Sequence, residues 1–375
     1  MFKRQFIKKI SLVYLGRKGA GPTYSIEMTE NLILQGCFLQ CILSDQIENK
    51  KDWDNLKTKY QALSIIYVNT YSNKIEFLMS LLLGFFKYSS VKSCIKDFNP
   101  NFLYIPMLSL LSIYVLPTRV PVVTTIHDVE QHLGEQNLLI SLLYDKVVKR
   151  SQKIITLSKK FIKDIQIKYS FKTQDIFVIP HANFTHYLPE NYKPDFNDLN
   201  YRILFFGRIH PYKGLKVLLK AMPAIIKEYP AIQLRIAGNG KIQDAEKKLI
   251  DELSANIDLH IKWISDDEIY KFIRDTDLIV LPYVEASQSG VIPLAYSFGK
   301  TVIASNVGGL SEQIYENTGI LVSPNNSNEL ANTIIKLYNS PNEIIKMNKQ
   351  AYKVAHEILT WEQSARILLE NTKEL

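Results

Sequence analysis

A basic turn joins an apolar strand to an amphipathic helix in the second half of the chain. The strand is Ile203-Leu204-Phe205-Phe206, the turn runs from Gly207 to Gly214, and the helix begins at Leu215. This order places backbone amides and the side chains of Arg208 and Lys213 at the carboxyl end of the strand. Amides at a helix start, together with two cations, suit an anionic phosphate. A solvated basic turn without a ligand is the alternative interpretation.

A second turn, Pro282 to Val291, follows another apolar strand and leads into a helix. Its small residues allow a ligand to approach the backbone closely. Free amides of Ser289, Gly290 and Val291 at the helix start would form a second anion site, so that the two turns hold a diphosphate. Glu285 lies in the same turn, where a carboxylate beside phosphates needs a hydroxyl-rich partner such as a sugar. The alternative for Glu285 is an acid that complements the helix dipole.

Taken together, these stretches resemble the retaining glycosyltransferases of family 4, which have the GT-B fold, and the resemblance covers nearly the whole chain. In the second half it rests on the GR-x4-KG turn at Gly207 to Gly214, Ala237-Gly238-Asn239-Gly240, Leu278 to Tyr283, Glu285 with Ser289-Gly290-Val291, and Gly299 to Ala304 followed by Gly308-Gly309. In the first half, Thr125 to Glu135 and Ile179-Pro180-His181 resemble a polysaccharide-building branch of the family.

The resemblance implies transfer of a sugar from a nucleoside diphosphate sugar to a glycan or lipid-linked acceptor, with retention at the anomeric carbon. Arg208 and Lys213 would bind the diphosphate and stabilise the charge that develops as the glycosidic bond breaks. Glu285 would contact the donor sugar, with His127 across the cleft. The other implied donor contacts are Gly207, Ser289, Gly290 and Val291 at the phosphates, and Gly238 and the segment near Trp263 on the nucleotide side.

The alternative for His127 is a structural histidine at a strand end, and His132 and His181 are more typical of structural histidines. Two departures from the family pattern concern the site. Where the family has a second glutamate, eight residues after the first, this chain has Pro293, followed by Leu294 and Ala295. In the family that glutamate commonly holds the ribose hydroxyls, so another group must hold them here. The second departure is Ala182, where the branch often has glycine.

The elements that must position these residues alternate between strands and helices in both halves, which predicts an α/β fold of two doubly wound, Rossmann-like domains facing across a cleft. The predicted strands are Ile10 to Leu15, Cys37 to Leu43, Ser64 to Val68, Phe102 to Ile105, Val122 to Ile126, Ile203 to Phe206, Gln233 to Ala237, Leu259 to Trp263, Leu278 to Leu281 and Thr301 to Ala304. We expect an acceptor-side domain over 1–185, a polar linker over 186–200 and a donor-binding domain over 201–360. By the resemblance, a last helix over 361–375 crosses back to the first domain.

The loop from Gly16 to Thr23 is rich in glycine but lacks the G-x-G-x-x-G order and the P-loop lysine, so it does not indicate dinucleotide binding. In the resembled family this loop borders the cleft, which makes Gly21 a donor or acceptor contact; simple turn flexibility is the alternative. Asp52-Trp53-Asp54 and Asp275-Thr276-Asp277 match a metal-chelating D-x-D of another glycosyltransferase fold. Because both lie away from the phosphate turns, no metal is expected.

The net charge of +8 is concentrated in the first half, since residues 1–190 contain 24 basic and 15 acidic residues, a net +9. This asymmetry predicts an anionic partner. Two stretches favour a membrane surface: leucines from Leu139 followed by basic clusters up to Lys163, and Phe77 to Phe86, which has aromatic ends. As amphipathic helices they would bind anionic lipid peripherally. Ordinary core faces and solvated lysines are the alternative.

No membrane-spanning segment is expected. The uncharged stretch Phe102 to Thr118 is 17 residues long and carries two prolines, which favours a strand, a short helix and a second strand. Cys37 and Cys41 lie in an apolar run typical of a core, and the three cysteines indicate neither a disulfide nor a zinc site. Because the basic N-terminus has no cleavage-site pattern, we expect a cytoplasmic protein.

Two other functions stay open. The first is a nucleotide-sugar epimerase of similar two-domain build, which would need acid and base residues that are not clearly placed in the sequence. The second is a non-catalytic protein that binds a polyanion through its basic half. The chain shows no recognisable nucleic-acid-binding module and no regular interleaving of basic and aromatic residues. Nucleic acid is therefore not an expected partner.

Overall fold

The computed structural model describes residues 8–117, 119–129, 138–196 and 199–375, and they form two compact units. The first unit contains the described residues up to 180 together with residues 361–375. The second unit contains residues 181–360. Each unit is built around one parallel sheet, which confirms the predicted α/β class.

The first unit has a seven-stranded parallel sheet in the order β3-β2-β1-β4-β5-β6-β7. Its strands are β1 (Lys9–Tyr14), β2 (Phe38–Ser44), β3 (Leu63–Val68), β4 (Phe102–Ile105), β5 (Val122–Ile126), β6 (Lys153–Thr156) and β7 (Ile176–Val178). Its helices are α1 (Ala20–Leu34), α2 (Lys50–Lys59), α3 (Lys74–Lys87), α4 (Ser89–Phe98), α5 (Leu138–Lys149), α6 (Ile162–Tyr169) and, from the end of the chain, α14 (Trp361–Asn371).

The second unit has a six-stranded parallel sheet in the order β10-β9-β8-β11-β12-β13. Its strands are β8 (Arg202–Phe206), β9 (Gln233–Ala237), β10 (Ile257–His260), β11 (Leu278–Leu281), β12 (Thr301–Ser305) and β13 (Gly319–Val322). Its helices are α7 (Leu215–Glu228), α8 (Asp244–Glu252), α9 (Asp266–Arg274), α10 (Val291–Ser297), α11 (Leu310–Gln313), α12 (Ser327–Tyr338) and α13 (Pro341–Glu357).

Helix α7 shows how an apolar pattern positions the basic turn Gly207 to Gly214, which lies between β8 and α7. Leu215, Leu218, Leu219, Met222 and Ile225 recur at three- and four-residue steps, and all are buried in the core formed with β8, β9 and β11. The predicted face therefore packs on the sheet, because burying it removes apolar surface from water. The turn before α7 is held at the carboxyl edge of the sheet as a result.

Two predictions of secondary structure change. The strand predicted as Leu259 to Trp263 runs from Ile257 to His260, because its pairing with β9 ends at His260 opposite Ala237. The basic stretch up to Lys163 is not one amphipathic helix: α5 ends, and β6 begins at Lys153. The reason is the apolar pair Ile154 and Ile155, which is fully buried between β5 and β7.

The second unit also begins earlier than the boundary inferred from the sequence, since it includes residues 181–185. Asn183 explains this difference. Its backbone N–H donates to the carbonyl of Leu359 at 2.7 Å, and its side-chain amide donates to the carbonyl of Ala355 at 2.8 Å. The N–H of Phe184 donates to Ser297 Oγ at 2.8 Å. These bonds tie the segment to α10 and α13.

The uncharged stretch from Phe102 forms β4 and a short 3-10 helix over Ser112–Val115, followed by β5, as predicted. No helix within the described part of the chain has the length and apolar character needed to cross a bilayer. Cys37 and Cys41 are buried in the first unit, which confirms their assignment to the core.

Candidate functional site

The basic turn after β8 is fixed by backbone hydrogen bonds to the turn after β9. The N–H of Gly207 donates to Ala237 O at 3.0 Å, and that of Ile209 donates to Asn239 O at 2.8 Å. Pro211–Lys213 then form one turn of 3-10 helix before α7. Arg208 is exposed at this edge of the sheet, while Lys213 is half-buried.

Lys213 is held by an aromatic residue in the turn after the neighbouring strand, β11. Its Nζ donates to the hydroxyl of Tyr283 at 2.6 Å and lies 4.3 Å from the centroid of that ring. The same Nζ lies 3.9 Å from the point that a Cβ on Gly207 would occupy, and Val291 Cγ2 lies 3.7 Å from that point. The ammonium group is therefore fixed where the turns after β8 and β11 meet, as an anion site requires.

The turn Ser289-Gly290-Val291, called the serine turn below, was predicted to present three free backbone amides. Two of these amides are hydrogen-bonded within the second unit. The N–H of Ser289 donates to Gln313 Oε1 at 2.7 Å, and the N–H of Val291 is bonded to Ser289 Oγ at 3.2 Å. Gln313 Nε2 also donates to Ser289 O at 2.9 Å. The first amides of α10 need acceptors, and these two side chains supply them.

Tyr283 links the two turns directly, since its hydroxyl lies 3.2 Å from Ser289 Oγ as well as 2.6 Å from Lys213 Nζ. A continuous path of polar contacts thus runs from Lys213 through Tyr283 and Ser289 to Gln313. Neither Tyr283 nor Gln313 was assigned a role from the sequence. Gln313 lies 24 residues after Ser289, and no spacing rule in the sequence indicates such a long-range pair.

Two glycines serve the packing of these turns against one another. A Cβ on Gly214, whose φ is +69°, would lie 1.9 Å from Pro282 O. A Cβ on Gly238, whose φ is +150°, would lie 1.8 Å from Gly207 O. Only glycine fits both the backbone conformation and the available space. Gly238, predicted as a nucleotide contact, thus has a structural requirement of its own.

Glu285 lies in the turn after β11 and is half-buried. The missing second glutamate is explained by α10, in which Pro293, Leu294 and Ala295 are all buried. These three side chains contribute to the packed interior of the second unit, where an ionised carboxylate would be costly without a partner. Ribose binding by a residue at these positions is therefore not available to this chain.

His181 and Trp263 are two further residues of the second unit that the sequence analysis singled out. The His181 ring stacks on Phe184 with centroids 5.0 Å apart, and its Nε2 lies 3.8 Å from the position of a Cβ on Gly290. His181, which the sequence suggested was structural, is thus next to the serine turn. Trp263 is 65% exposed in the loop before α9, whose start is capped by Ser265 and Glu268.

His127 and Gly21 belong to the first unit. His127 Nε2 lies 2.9 Å from Pro106 O, and since a carbonyl only accepts, this nitrogen carries the proton. Burial lowers the pKa of His127, although the bond to Pro106 and the nearby Asp128 raise it in part. A neutral imidazole is therefore expected at neutral pH. In the stretch Thr125 to Glu135, residues 130–135, including His132, lie outside the described residues.

Gly21 lies in the first turn of α1 and is buried. A Cβ there would lie 2.2 Å from the hydroxyl oxygen of Tyr14. Close packing against Tyr14 thus accounts for glycine at this position.

The two D-x-D stretches have other structural roles. Asp277 is buried and accepts bonds from the N–H groups of Asn200 and Arg202 at 2.9 and 3.0 Å. Burial raises its pKa, and these bonds oppose that shift. Asp54 accepts a bond from the Tyr67 hydroxyl at 2.7 Å. Among the described residues, no group of three or more His, Cys, Asp and Glu side chains is arranged to hold a metal ion.

Comparison with known proteins addresses the second half of the chain most directly. Residues 200–340 match the family profile described as Glycosyl transferases group 1. The D-inositol 3-phosphate glycosyltransferase of Paenarthrobacter aurescens (strain TC1) is 31% identical over 181 residues, which are 47% of this chain and 44% of that protein. The chain thus spans somewhat less than half the length of such curated relatives.

Solved structures resemble the whole chain. A glycosyltransferase from Rickettsia africae ESF-5 has a TM-score of 0.72 at 21% identity and covers 99% of both chains. Anabaena Alr3699/HepE in complex with UDP and glucose has a TM-score of 0.71 at 16% identity, covering 98% of this chain and 100% of its own.

A candidate UDP-N-acetylglucosamine 2-epimerase from Listeria monocytogenes has a TM-score of 0.65 at 13% identity, covering 98% of this chain and 96% of its own. At these identities the likeness shows the fold alone, and that fold is the predicted pair of Rossmann-like domains. The second unit thus contains the stretch that matches the glycosyl transferases group 1 profile, and the whole chain shares its fold with a solved glycosyltransferase.

Proposed function

We propose that the protein transfers a sugar from a nucleoside diphosphate sugar to a hydroxyl group of a glycan or lipid-linked acceptor, with retention at the anomeric carbon, in the synthesis of a cell-surface polysaccharide. The observation that carries this proposal is the Lys213 ammonium, fixed by Tyr283 beside Gly207 and Val291. It lies at the carboxyl edge of the second sheet, where ligands of open α/β folds bind. The surrounding residues belong to the stretch that matches the glycosyl transferases profile.

The chemistry follows from the charge that develops in the reaction. As the bond between the sugar's anomeric carbon and the β-phosphate breaks, negative charge accumulates on the leaving diphosphate. Arg208 and Lys213 are cations already in place at that position, so little reorganisation is needed when the charge appears. The acceptor hydroxyl oxygen forms the new bond to the anomeric carbon, and its proton passes to an oxygen of the leaving diphosphate, which keeps the electron pair of the broken bond.

The other site residues take the roles that the resemblance implies. Glu285 binds hydroxyl groups of the donor sugar, and Gly207 with the serine turn Ser289-Gly290-Val291 contacts the phosphates. For the serine turn, this requires the Gln313 side chain to exchange its bond with the Ser289 amide for a phosphate oxygen. Gly238 lies on the nucleotide side, where the exposed Trp263 indole offers a surface for stacking a base.

We propose further that the two units act as acceptor and donor domains across a cleft, with domains over 1–185 and 201–360. His127 and Gly21 of the first unit then border the transferred sugar. The neutral Nε2–H of His127 is committed to Pro106 O, so Nδ1 is the ring atom that can accept a hydrogen bond from a hydroxyl group of the transferred sugar. No metal ion takes part in this proposal.

The direct test is a panel of nucleotide sugars, beginning with UDP-glucose because a structural neighbour was crystallised with UDP and glucose. Each donor is incubated with the protein, an extracted bacterial lipid and glycan fraction, and a chelator. We expect one nucleotide class to give both free nucleoside diphosphate and a glycosylated acceptor, whose anomeric configuration by NMR matches that of the donor. An acceptor product of inverted configuration would contradict retention, and no product from any donor would contradict the transferase proposal.

The same panel distinguishes the alternatives. An epimerase, whose fold is shared by a structural neighbour, would convert one nucleotide sugar into its isomer without forming a glycosylated acceptor. A polyanion-binding protein would turn over no donor at all. If the protein is a transferase or an epimerase, the double variant Arg208→Ala, Lys213→Ala loses turnover of the donor. If it binds polyanions through its basic first half, the same variant still binds heparin.

Removal of the Tyr283 hydroxyl is expected to lower kcat/KM by about 10- to 100-fold. The change Tyr283→Phe keeps the ring beneath the Lys213 ammonium but deletes its bonds to Lys213 and Ser289, and a hydrogen bond to a charged group contributes about 1.5–3 kcal/mol. Steady-state kinetics with the donor found above measure this effect. Tyr229→Phe is the matched control, because the Tyr229 hydroxyl also donates one side-chain hydrogen bond, to Asn339 Oδ1 at 2.6 Å just after α12, outside the turns that hold Lys213. Equal losses in the two variants would show that the Tyr283 hydroxyl has no positioning role.

A further inference from the structure

Helix α3 exposes large apolar side chains to solvent along one face. The exposed residues recur at three- and four-residue steps, which places them on one side of a helix; they are Ile75, Leu78, Met79, Leu82, Leu83 and Phe86. Ile75, Leu82 and Phe86 are 77%, 67% and 82% exposed, and Phe85 beside them is 61% exposed. A continuous apolar face of this size on a protein surface marks a site of interaction.

The inner face of α3 shows that these side chains are not needed for packing. The helix contacts the first unit through Ser80, whose Oγ donates to Thr70 O at 2.7 Å, and through Gly84. A Cβ on Gly84 would lie 2.6 Å from Tyr114 Cγ, and the Tyr114 hydroxyl donates to Leu81 O. The inner side also carries Phe77 and Leu81, which are half-buried, and Leu81 packs against the core. Helix α3 is therefore apolar on its outer face as well as its inner face, whereas an ordinary surface helix has a polar outer face.

The position of α3 in the fold is at the carboxyl edge of the first sheet. The helix follows the carboxyl end of β3, and the 3-10 helix over Ser112–Val115 that it contacts follows β4. Both therefore lie at the edge where open α/β sheets bind their ligands. An interaction through α3 brings that edge of the first unit close to the partner.

Cations border the apolar face through aromatic rings. At one end the Arg17 guanidinium lies 4.1 Å from the Tyr71 ring centroid, and that ring lies 4.8 Å from the ring of Phe77. At the other end, Lys92 Nζ lies 5.4 Å from the Phe85 centroid. Residues with an apolar stem and a charged head are suited to a boundary between hydrocarbon and anionic groups.

We propose that α3 inserts its outer face into the headgroup region of an anionic lipid bilayer, so that the protein docks on the membrane surface. The 14-residue helix is about 21 Å long, shorter than the roughly 30 Å hydrocarbon core of a bilayer, so it lies along the surface instead of crossing it. The net +9 of residues 1–190 complements anionic lipid. The same charge disfavours a second copy on this face, because two basic halves would be brought together.

The test measures co-sedimentation with vesicles of equal parts phosphatidylglycerol and phosphatidylcholine at low salt. The variant Leu82→Glu, Phe86→Glu places two carboxylates in the inserting face. The control Leu34→Glu, Ile167→Glu changes the same net charge at positions that are 66% and 82% exposed near the ends of α1 and α6, which lead back to the amino edge of the sheet. Unchanged circular dichroism and Tm in both variants show that the fold is kept.

We expect the α3 variant to bind these vesicles at least about tenfold more weakly than the control, since binding scales with the apolar area inserted. Wild-type binding is also expected to weaken on vesicles of phosphatidylcholine alone. Equal binding by the two variants, or no vesicle binding by the wild type, overturns the proposal. A wild-type dimer in analytical ultracentrifugation that the α3 variant alone dissociates assigns the face to a second copy instead.

The inference rests on α3 and not on the proposed reaction, and the two fail separately. Vesicle binding needs no nucleotide sugar, and donor turnover needs no vesicle. If both hold, the lipid surface supplies the acceptor. Transfer to a lipid-linked acceptor presented in vesicles is then faster for the wild type than for the α3 variant, with equal donor hydrolysis.

Discussion

Replacing Lys213 by alanine is expected to lower kcat/KM for the donor by about 100- to 1000-fold, the loss typical of removing one preorganised charge stabiliser. The reason is the position of its ammonium, which Tyr283 holds at 2.6 Å at the junction of the turns after β8 and β11. A mobile surface lysine cannot substitute for it, because its charge is solvated and it has no fixed geometry. Most of the loss is expected in kcat, since the leaving phosphate gains its charge in the transition state.

Lys216→Ala is the matched control, because Lys216 lies three residues further on, is exposed on α7 and carries the same charge. It is expected to change kcat/KM by less than about twofold, as is typical for a screened surface charge. Release of nucleoside diphosphate measures both variants. Comparable losses in the two variants would mean that net charge, and not the Lys213 geometry, supports the reaction.

The change Gly214→Ala is expected to lower the free energy of unfolding of the second unit by about 3 kcal/mol or more. The added Cβ would lie 1.9 Å from Pro282 O in a left-handed backbone conformation, with φ +69°. Left-handed backbone alone costs about 1–2 kcal/mol, and overpacking adds about 1–3 kcal/mol. The turn that carries Lys213 must shift away from Pro282, so donor binding falls as well.

Gly36→Ala separates these two terms, because Gly36 has a φ of +89° and no heavy atom within 4 Å of the added Cβ. It is expected to cost about 1 kcal/mol, the backbone term alone. Differential scanning calorimetry is the suitable measurement, since a chain of two units can unfold in more than one step. A Tm shift for Gly214→Ala no larger than that for Gly36→Ala would show that the turns after β8 and β11 are not packed as described.

Much of the fold could be predicted from local patterns. Phe102–Ile105 and Leu278–Leu281 are apolar runs that follow a polar residue and end before a proline, whereas Gln233–Ala237 alternates polar and apolar residues. The structure has strands with those same limits. Strand β6 was missed, because the lysines around Lys153 are typical of a solvated helix surface. Only the assembled sheet shows that Ile154 is buried. Short strands of this kind are specified by their neighbours more than by their own sequence.

The candidate site could be predicted only where its residues are close together in the sequence. The turn with Arg208 and Lys213 is one continuous stretch of sequence. It was recognised from its two terminal glycines and from its place between an apolar strand and an amphipathic helix. The bonds from Gln313 to the Ser289 backbone depend on α11 packing beside the serine turn, and no local pattern contains that information. Gly238 was predicted as a nucleotide contact, and that prediction stays untested. The close approach of Pro282 O to Gly214 and of Gly207 O to Gly238 is likewise a long-range contact that no local pattern reveals.

The most direct test of the central claim is a thermal-shift comparison of wild type, Lys213→Ala and Lys216→Ala with UDP, GDP, ADP and CMP in the presence of a chelator. A ligand that binds the folded state alone stabilises it by about 2.7 kcal/mol at a hundredfold excess over Kd. We predict that one nucleoside diphosphate raises the Tm of wild type and Lys216→Ala but leaves Lys213→Ala nearly unchanged. No shift with any nucleotide, or an equal shift in Lys213→Ala, would contradict a diphosphate site at this turn.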